Sequence, residues 1–189
     1  MNRHIRSAFA VLGLIAVAGL AACDDLVFDG SRGELTVAAV GSSFQTTVQG
    51  TVEFDVRVDL LADVGQDVRV ERRTGVVDIA PGDRTVLFRQ RVGESRFTHA
   101  RVVFTRVVAD VEGGLRVGGA PYLGEARVRV PSGGIVLERT AELELPANAR
   151  GALLIDLSAP DWLTEVDITR REVSPEAFAT AVRIRTEER

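Results

Sequence analysis

The sequence predicts an all-β fold, two antiparallel sheets packed face to face, for the part of the chain that follows its first thirty-three residues. Three observations carry this. Apolar and polar residues alternate with a period of two over many short segments, the pattern of strands with one face buried and one in water. Turn residues fall between those segments. Helix-starting signals are almost absent.

The clearest strand is Val52-Glu53-Phe54-Asp55-Val56-Arg57-Val58-Asp59-Leu60. Its apolar residues share one face, and Glu53, Asp55, Arg57 and Asp59 are expected on the wet face. Val128 and Val130 alternate with Arg127 and Arg129. Leu143 and Leu145 alternate with Glu142 and Glu144, and Leu153, Ile155 and Leu157 with Ala152, Leu154 and Asp156. Further strands are expected at 35–40, 44–49, 67–72, 76–79, 85–92, 97–111 and 181–186. Pro81-Gly82-Asp83 separates two runs. Gly113-Gly114, between Val111-Glu112 and Leu115-Arg116, is a two-residue hairpin signal. Pro131-Ser132-Gly133-Gly134 is expected to turn one strand back on the next, pairing Val130 with Ile135 and setting Arg127 opposite Glu138. Strands joined in this way suit an antiparallel sandwich of immunoglobulin-like or transthyretin-like type. At most one or two short helical turns are expected. Ser174-Pro175-Glu176 has Ser as N-cap and Pro at the first position, and Pro160-Asp161-Trp162 is a second place for a turn.

The N-terminus follows other rules. Asn2-Arg3-His4-Ile5-Arg6 is a short positive segment, and an apolar run extends from Ala8 to Leu20. These are the parts of a secretory signal. The exit reads Leu20-Ala21-Ala22-Cys23, and residues 1–23 resemble the bacterial lipoprotein signal with its lipobox. The resemblance implies cleavage before Cys23, lipid on the Cys23 sulfur and a mature chain held on a membrane of the cell envelope. It also implies that Asp24 follows the lipidated cysteine, which in enteric bacteria goes with inner-membrane retention. Two other readings stand beside it. The uncharged stretch Ser7–Cys23 is 17 residues long, at the short edge of a bilayer span, so an uncleaved anchor is one. An incidental cysteine beside an ordinary cleavage site is the other.

The expected organisation is a signal over 1–22, a lipidated tether over 23–33 and one β-sandwich domain over 34–189. The tether is rich in Asp and Gly: Asp24, Asp25, Asp29, Gly30 and Gly33. Cys23 is the only cysteine, so no intramolecular disulfide exists and the domain relies on its core. From residue 23 on there are 21 arginines, 27 carboxylates and no lysine, a net charge of −6. Such an acidic domain is poorly suited to nucleic acid, whose phosphates dominate that affinity. The run Phe97–Val108, with Leu153-Leu154-Ile155-Asp156-Leu157 and Trp162, is similar to β-sandwich domains of unknown function in bacterial lipoproteins. That similarity carries over no functional residue.

The search for chemistry returns little. His99 is the one histidine after Cys23, so a Ser-His-Asp or Cys-His set would need it. Its place in Phe97-Thr98-His99-Ala100-Arg101 reads as a strand histidine on a sheet face. Zinc needs three or four His, Cys or carboxylate ligands. The groups Asp24/Asp25/Asp29 and Asp59/Asp63 lack calcium-loop spacing and read as solvated charge. Gly118-Gly119-Ala120-Pro121 lacks the Gly-Lys-Ser/Thr of a phosphate loop and reads as a plain loop. Glu142 and Glu144 are the polar half of a strand. Trp162 reads as a core or edge plug, and Tyr122 is the more exposed aromatic. No metal, cofactor or catalytic residue is assigned. The expectation is a non-enzymatic binding or structural module of the envelope, whose partners are the membrane through Cys23 and another envelope protein or glycan. The alternative is an envelope enzyme working through carboxylates alone, such as a glycan-directed hydrolase.

Overall fold

The structure is a computed structural model that describes residues 32–131 and 133–188. The lipobox, Cys23, Asp24, Asp25 and Asp29 lie outside the described residues. In chain order the elements are β1 (Arg32–Val40), β2 (Gln49–Val64), β3 (Val68–Asp78), β4 (Arg84–Gly93), β5 (Ser95–Gly113), β6 (Arg116–Val117) and β7 (Ala120–Pro121). They continue with β8 (Ala126–Val130), β9 (Ile135–Leu145), β10 (Arg150–Asp156), α1 (Ala159–Leu163), α2 (Pro175–Ala181) and β11 (Arg183–Glu188).

Two sheets form a β-sandwich. The first has the order β11-β10-β1-β4. The second has the order β3-β2-β5, with β8 and β9 both on the far edge of β5. The alternation that predicts the strands also sets their faces. Val52, Phe54, Val56, Val58 and Leu60 of β2 are buried against Leu35, Val37 and Ala39 of β1 and Leu153 and Ile155 of β10, all in one core. The α1–α2 segment inserts Trp162 and Phe178 into that core. Phe178 packs edge-on to both Phe104 (5.1 Å) and Trp162 (5.4 Å). Ser174 caps α2 as its sequence implies, accepting from the Ala177 N–H at 3.1 Å. The Trp162 indole N–H reaches Leu157 O at 2.9 Å, so the core plug keeps its polar atom satisfied.

Several local expectations are corrected. β1 and β10 pair in parallel, so the first sheet is mixed. Arg32 and Gly33 are already strand, paired with Gly93 and Val92. Residues 44–48 are not a strand. Ser42 and Thr46 hydroxyls accept from the Phe44 and Val48 N–H groups, and such local bonds compete with a ladder. The runs 67–72 and 76–79 belong to one irregular strand, β3, and Ile79 lies past its end. Ala181 closes α2, so the last strand starts at Arg183.

Gly113-Gly114 makes no hairpin. β5 runs to Gly113, and Leu115 drops into the core. Gly114 is needed there for another reason: its φ is +75°, and a Cβ would lie 1.7 Å from Thr47 O. The two-residue hairpin is formed instead by Gly118-Gly119 between β6 and β7. Both have positive φ, +56° and +84°, as a type I′ turn requires.

Pro131–Gly134 does not reverse the chain either. β8 and β9 run in the same direction, end to end, along β5: Val107 pairs with Val130 and Phe104 with Ile135. β5 has 19 residues, long enough to template both. Both segments keep their apolar residues inward this way, Val128 and Val130 then Ile135 and Leu137. Arg127 accordingly faces Asp110 (3.4 Å), and Glu138 faces Arg101 (3.6 Å).

Candidate functional site

The residues singled out by sequence do not converge. His99 lies exposed on β5, its Nδ1 3.0 Å from the Thr98 hydroxyl oxygen. Glu142 and Glu144 are exposed on β9. Trp162 is fully buried. Tyr122 is half-buried against the core, while its neighbour Leu123 is 91% exposed. Asp59 and Asp63 are split between separate arginines: Asp59 accepts from Arg69 at 2.9 Å, and Arg96 forks onto Asp63 at 2.6–3.0 Å. Among the described residues no group of three or more His, Cys, Asp or Glu could hold a metal ion.

What the structure does assemble is two outer faces of opposite electrostatic character. On the second sheet, Asp55 and Asp59 were expected in water and are buried instead, at 4% and 7% exposure. The register explains it. Asp55 sits in a row between Thr74 of β3 and Arg106 of β5. It accepts from the Thr74 hydroxyl at 2.5 Å and from the Arg72 guanidinium. The Thr74 bond first, then Arg72, with Arg106 adding its field, hold the Asp55 carboxyl below the ordinary carboxylate value. Arg106 in turn forks onto Glu53 at 2.5 and 2.8 Å. Glu172 accepts from Arg129 Nε at 2.8 Å, where residues 171–173 run beside β8. The rows of this face are laced by cross-strand pairs.

The outer face of the first sheet is built differently. At the end where β1 begins, its central strands present small side chains, Thr36 from β1 and Ala152 from β10, and in the next row Ala38 and Leu154 are buried. Its edge strands present arginine. Register sets Arg91, Glu34 and Arg150 in one row, and Arg89, Thr36, Ala152 and Glu187 in the next. Two rows further on, Arg84, Val40, Asp156 and Arg183 lie side by side. Long side chains around a low floor leave a trough of about 700 Å³.

The arginines of this face divide by position. At the far end Arg84 meets Glu187 (3.4 Å), Arg185 meets Asp156 (3.7 Å) and Arg183 meets Asp161 (3.6 Å). At the end where β1 begins, Arg89, Arg91 and Arg150 are exposed and form no ion pair among the described residues. Glu34, between Arg91 and Arg150, is the one carboxylate of those two rows besides Glu187. A second hollow of about 590 Å³ opens beside this end, between the β2–β3 and β4–β5 turns. Arg91 lines this hollow rather than the trough, at the same end of the face. Two of the hollow's other polar groups are held within the fold, Arg69 by Asp59 and Asp67 by the Ala62 N–H at 2.8 Å.

Guanidinium groups are permanent cations with donors in a planar fork, matched to carboxylate, phosphate or sulfate oxygens. They supply neither a nucleophile nor a base at neutral pH. Beside Arg89 and Arg150 the trough can hold an anion and orient it, while Glu34 and Glu187 bring two carboxylates to the same lining. Sequence reading missed these arginines because β4 and β10 contribute them separately. The alternation Arg89-Gln90-Arg91 was the local signal available. No protein-family model, curated protein or solved structure matches the chain.

Proposed function

We propose that this protein is a membrane-anchored lipoprotein of the bacterial envelope and acts as a non-enzymatic binding module, with the arginine-rimmed trough of the first sheet as its contact surface. The observation that carries the reading is the set Arg89, Arg91 and Arg150. Three exposed cations that form no ion pair among the described residues share one end of one face of a domain whose net charge is negative. Cations that served the fold would be expected in ion pairs, as on the second sheet, yet these three form none although Glu34 lies between Arg91 and Arg150. The lipobox supplies the address and the trough supplies the contact.

Two variants test this in cells. Labelled palmitate enters the wild-type protein and not Cys23→Ser; equal labelling of both contradicts the lipoprotein reading. Arg89→Ser/Arg91→Ser/Arg150→Ser leaves the protein folded and abundant but loses its envelope partner in cross-linking, whereas His99→Ala retains it. The reverse result, with His99→Ala decisive and the triple variant silent, contradicts the binding-module reading and directs attention to an enzyme around His99.

A further inference from the structure

We infer that the occupant of the trough is the phosphate layer of the membrane on which the protein is anchored, so that the first sheet lies against anionic lipid headgroups. This deepens the reading above and rests on it.

The position of the unpaired charge carries the inference. β1 starts at Arg32, nine residues after Cys23. A chain of that length spans at most ~30 Å when fully extended. Lipid on Cys23 would therefore hold the beginning of β1 within reach of the headgroups. Arg91 and Arg150 flank Glu34, two residues into β1, and Arg89 is opposite Thr36, four residues in. At ~3.3 Å per residue, all three lie within ~13 Å of where the tether enters. The arginines that have carboxylate partners, Arg84, Arg183 and Arg185, lie at the other end of the same face.

The floor fits the same occupant. Thr36, Gly151 and Ala152 line the trough and project little, so a headgroup phosphate can descend between Arg89 and Arg150 and take donors from two guanidinium planes. Juxtamembrane arginines gain from the negative surface potential of an anionic leaflet, and the gain decays within a Debye length. The tether keeps the face inside that distance. The second sheet, where Arg57, Arg69, Arg72, Arg106 and Arg127 are paired with carboxylates of the same face, offers less attraction and turns away.

The test uses the complete lipidated protein inserted by its own anchor into two kinds of vesicle, one of phosphatidylcholine alone and one with about a third phosphatidylglycerol. An arginine-selective dicarbonyl reagent is applied, and each site is read by mass spectrometry. Arg89, Arg91 and Arg150 should be at least about threefold less reactive on the anionic vesicles, with the protection lost in high salt. Arg116 and Arg170, outside the trough, should not change. Arg91→Glu/Arg150→Glu should abolish the protection of Arg89 while the protein stays with the vesicles. Equal reactivity on both vesicles, with the protein still bound to each, overturns the docking inference and leaves the anchor standing. Association with anionic vesicles but not with neutral ones overturns the anchor and supports the docking. Association with neither overturns both. Protection by a soluble acidic polysaccharide, with none from anionic vesicles, assigns the trough to a glycan and overturns the lipid.

Discussion

The two outer faces of the sandwich have similar composition and opposite logic. Both are strand surfaces rich in arginine. On the second sheet, arginines lie across from carboxylates: Arg72 and Arg106 around Asp55, Arg106 on Glu53, Arg69 and Arg57 on Asp59, Arg127 on Asp110. Two of those carboxylates are buried by the side chains that neutralise them. On the first sheet, the end where β1 begins holds three arginines that form no ion pair among the described residues, although Glu34 lies between two of them, around small residues of β1 and β10. The same residue type thus serves the fold on one face and is left available on the other. Cross-strand register, rather than arginine content, separates the two.

The comparison is broken most easily at Asp55. Asp55→Ala removes the acceptor for Thr74 and Arg72 and is expected to cost about 2 kcal/mol, since hydrogen bonds to charged groups contribute roughly 1.5–3 kcal/mol each and Arg72 regains water. Urea unfolding followed by the emission of Trp162, the only tryptophan, reads this directly. A loss below about 0.5 kcal/mol would place the second face on a par with an ordinary surface.

Acid is the next lever. The Asp55 carboxyl is held below its ordinary value, chiefly by the Thr74 hydroxyl and then by Arg72. A group depressed in the folded state contributes stability that is fully present above the unfolded value of about 4 and is lost as pH falls through the folded one. Unfolding midpoints should therefore drop as pH is lowered from about 5 to 2. Asp55→Asn should flatten that dependence, and an unaltered slope would remove Asp55 from the account.

His99→Ala should shift stability by no more than about 0.5 kcal/mol, as expected for an exposed strand position with one local contact. The smallest effects are expected on the first sheet. Arg89→Ser, Arg91→Ser and Arg150→Ser should each move stability by less than about 0.5 kcal/mol in either direction. A drop above about 1.5 kcal/mol for any of them would show that it serves the fold after all.

Much of the sandwich was legible in the sequence. The period of two in residues 52–60 and 142–145 located β2 and β9 and assigned their buried sides. Ser174-Pro175 located the start of α2. These signals are local, and local preference was enough to express them. Pairing was not legible, because it is set between distant segments. Nothing in Pro131–Gly134 says that β8 and β9 will share β5 as collinear partners, nor does β1 announce a parallel neighbour in β10. The burial of Asp55 was hidden for the same reason. Alternation places it on the outer face, and only the register of β3 and β5 brings Thr74, Arg72 and Arg106 over it. The trough was hidden twice over. Its arginines come from β4 and β10, and its floor depends on small residues of β1 and β10 becoming neighbours.

Arg91 and Arg72 report the asymmetry between the two faces in the same sample. Arg91 lies on the first outer face with no ion-pair partner among the described residues, and Arg72 lies on the second beside Asp55. The measurement is the reactivity of both toward an arginine-selective reagent as the anionic lipid fraction of the supporting vesicle is raised stepwise. The reactivity of Arg91 should fall progressively while that of Arg72 holds constant. Equal responses of the two arginines, or a fall confined to Arg72, would contradict the division of labour between the faces.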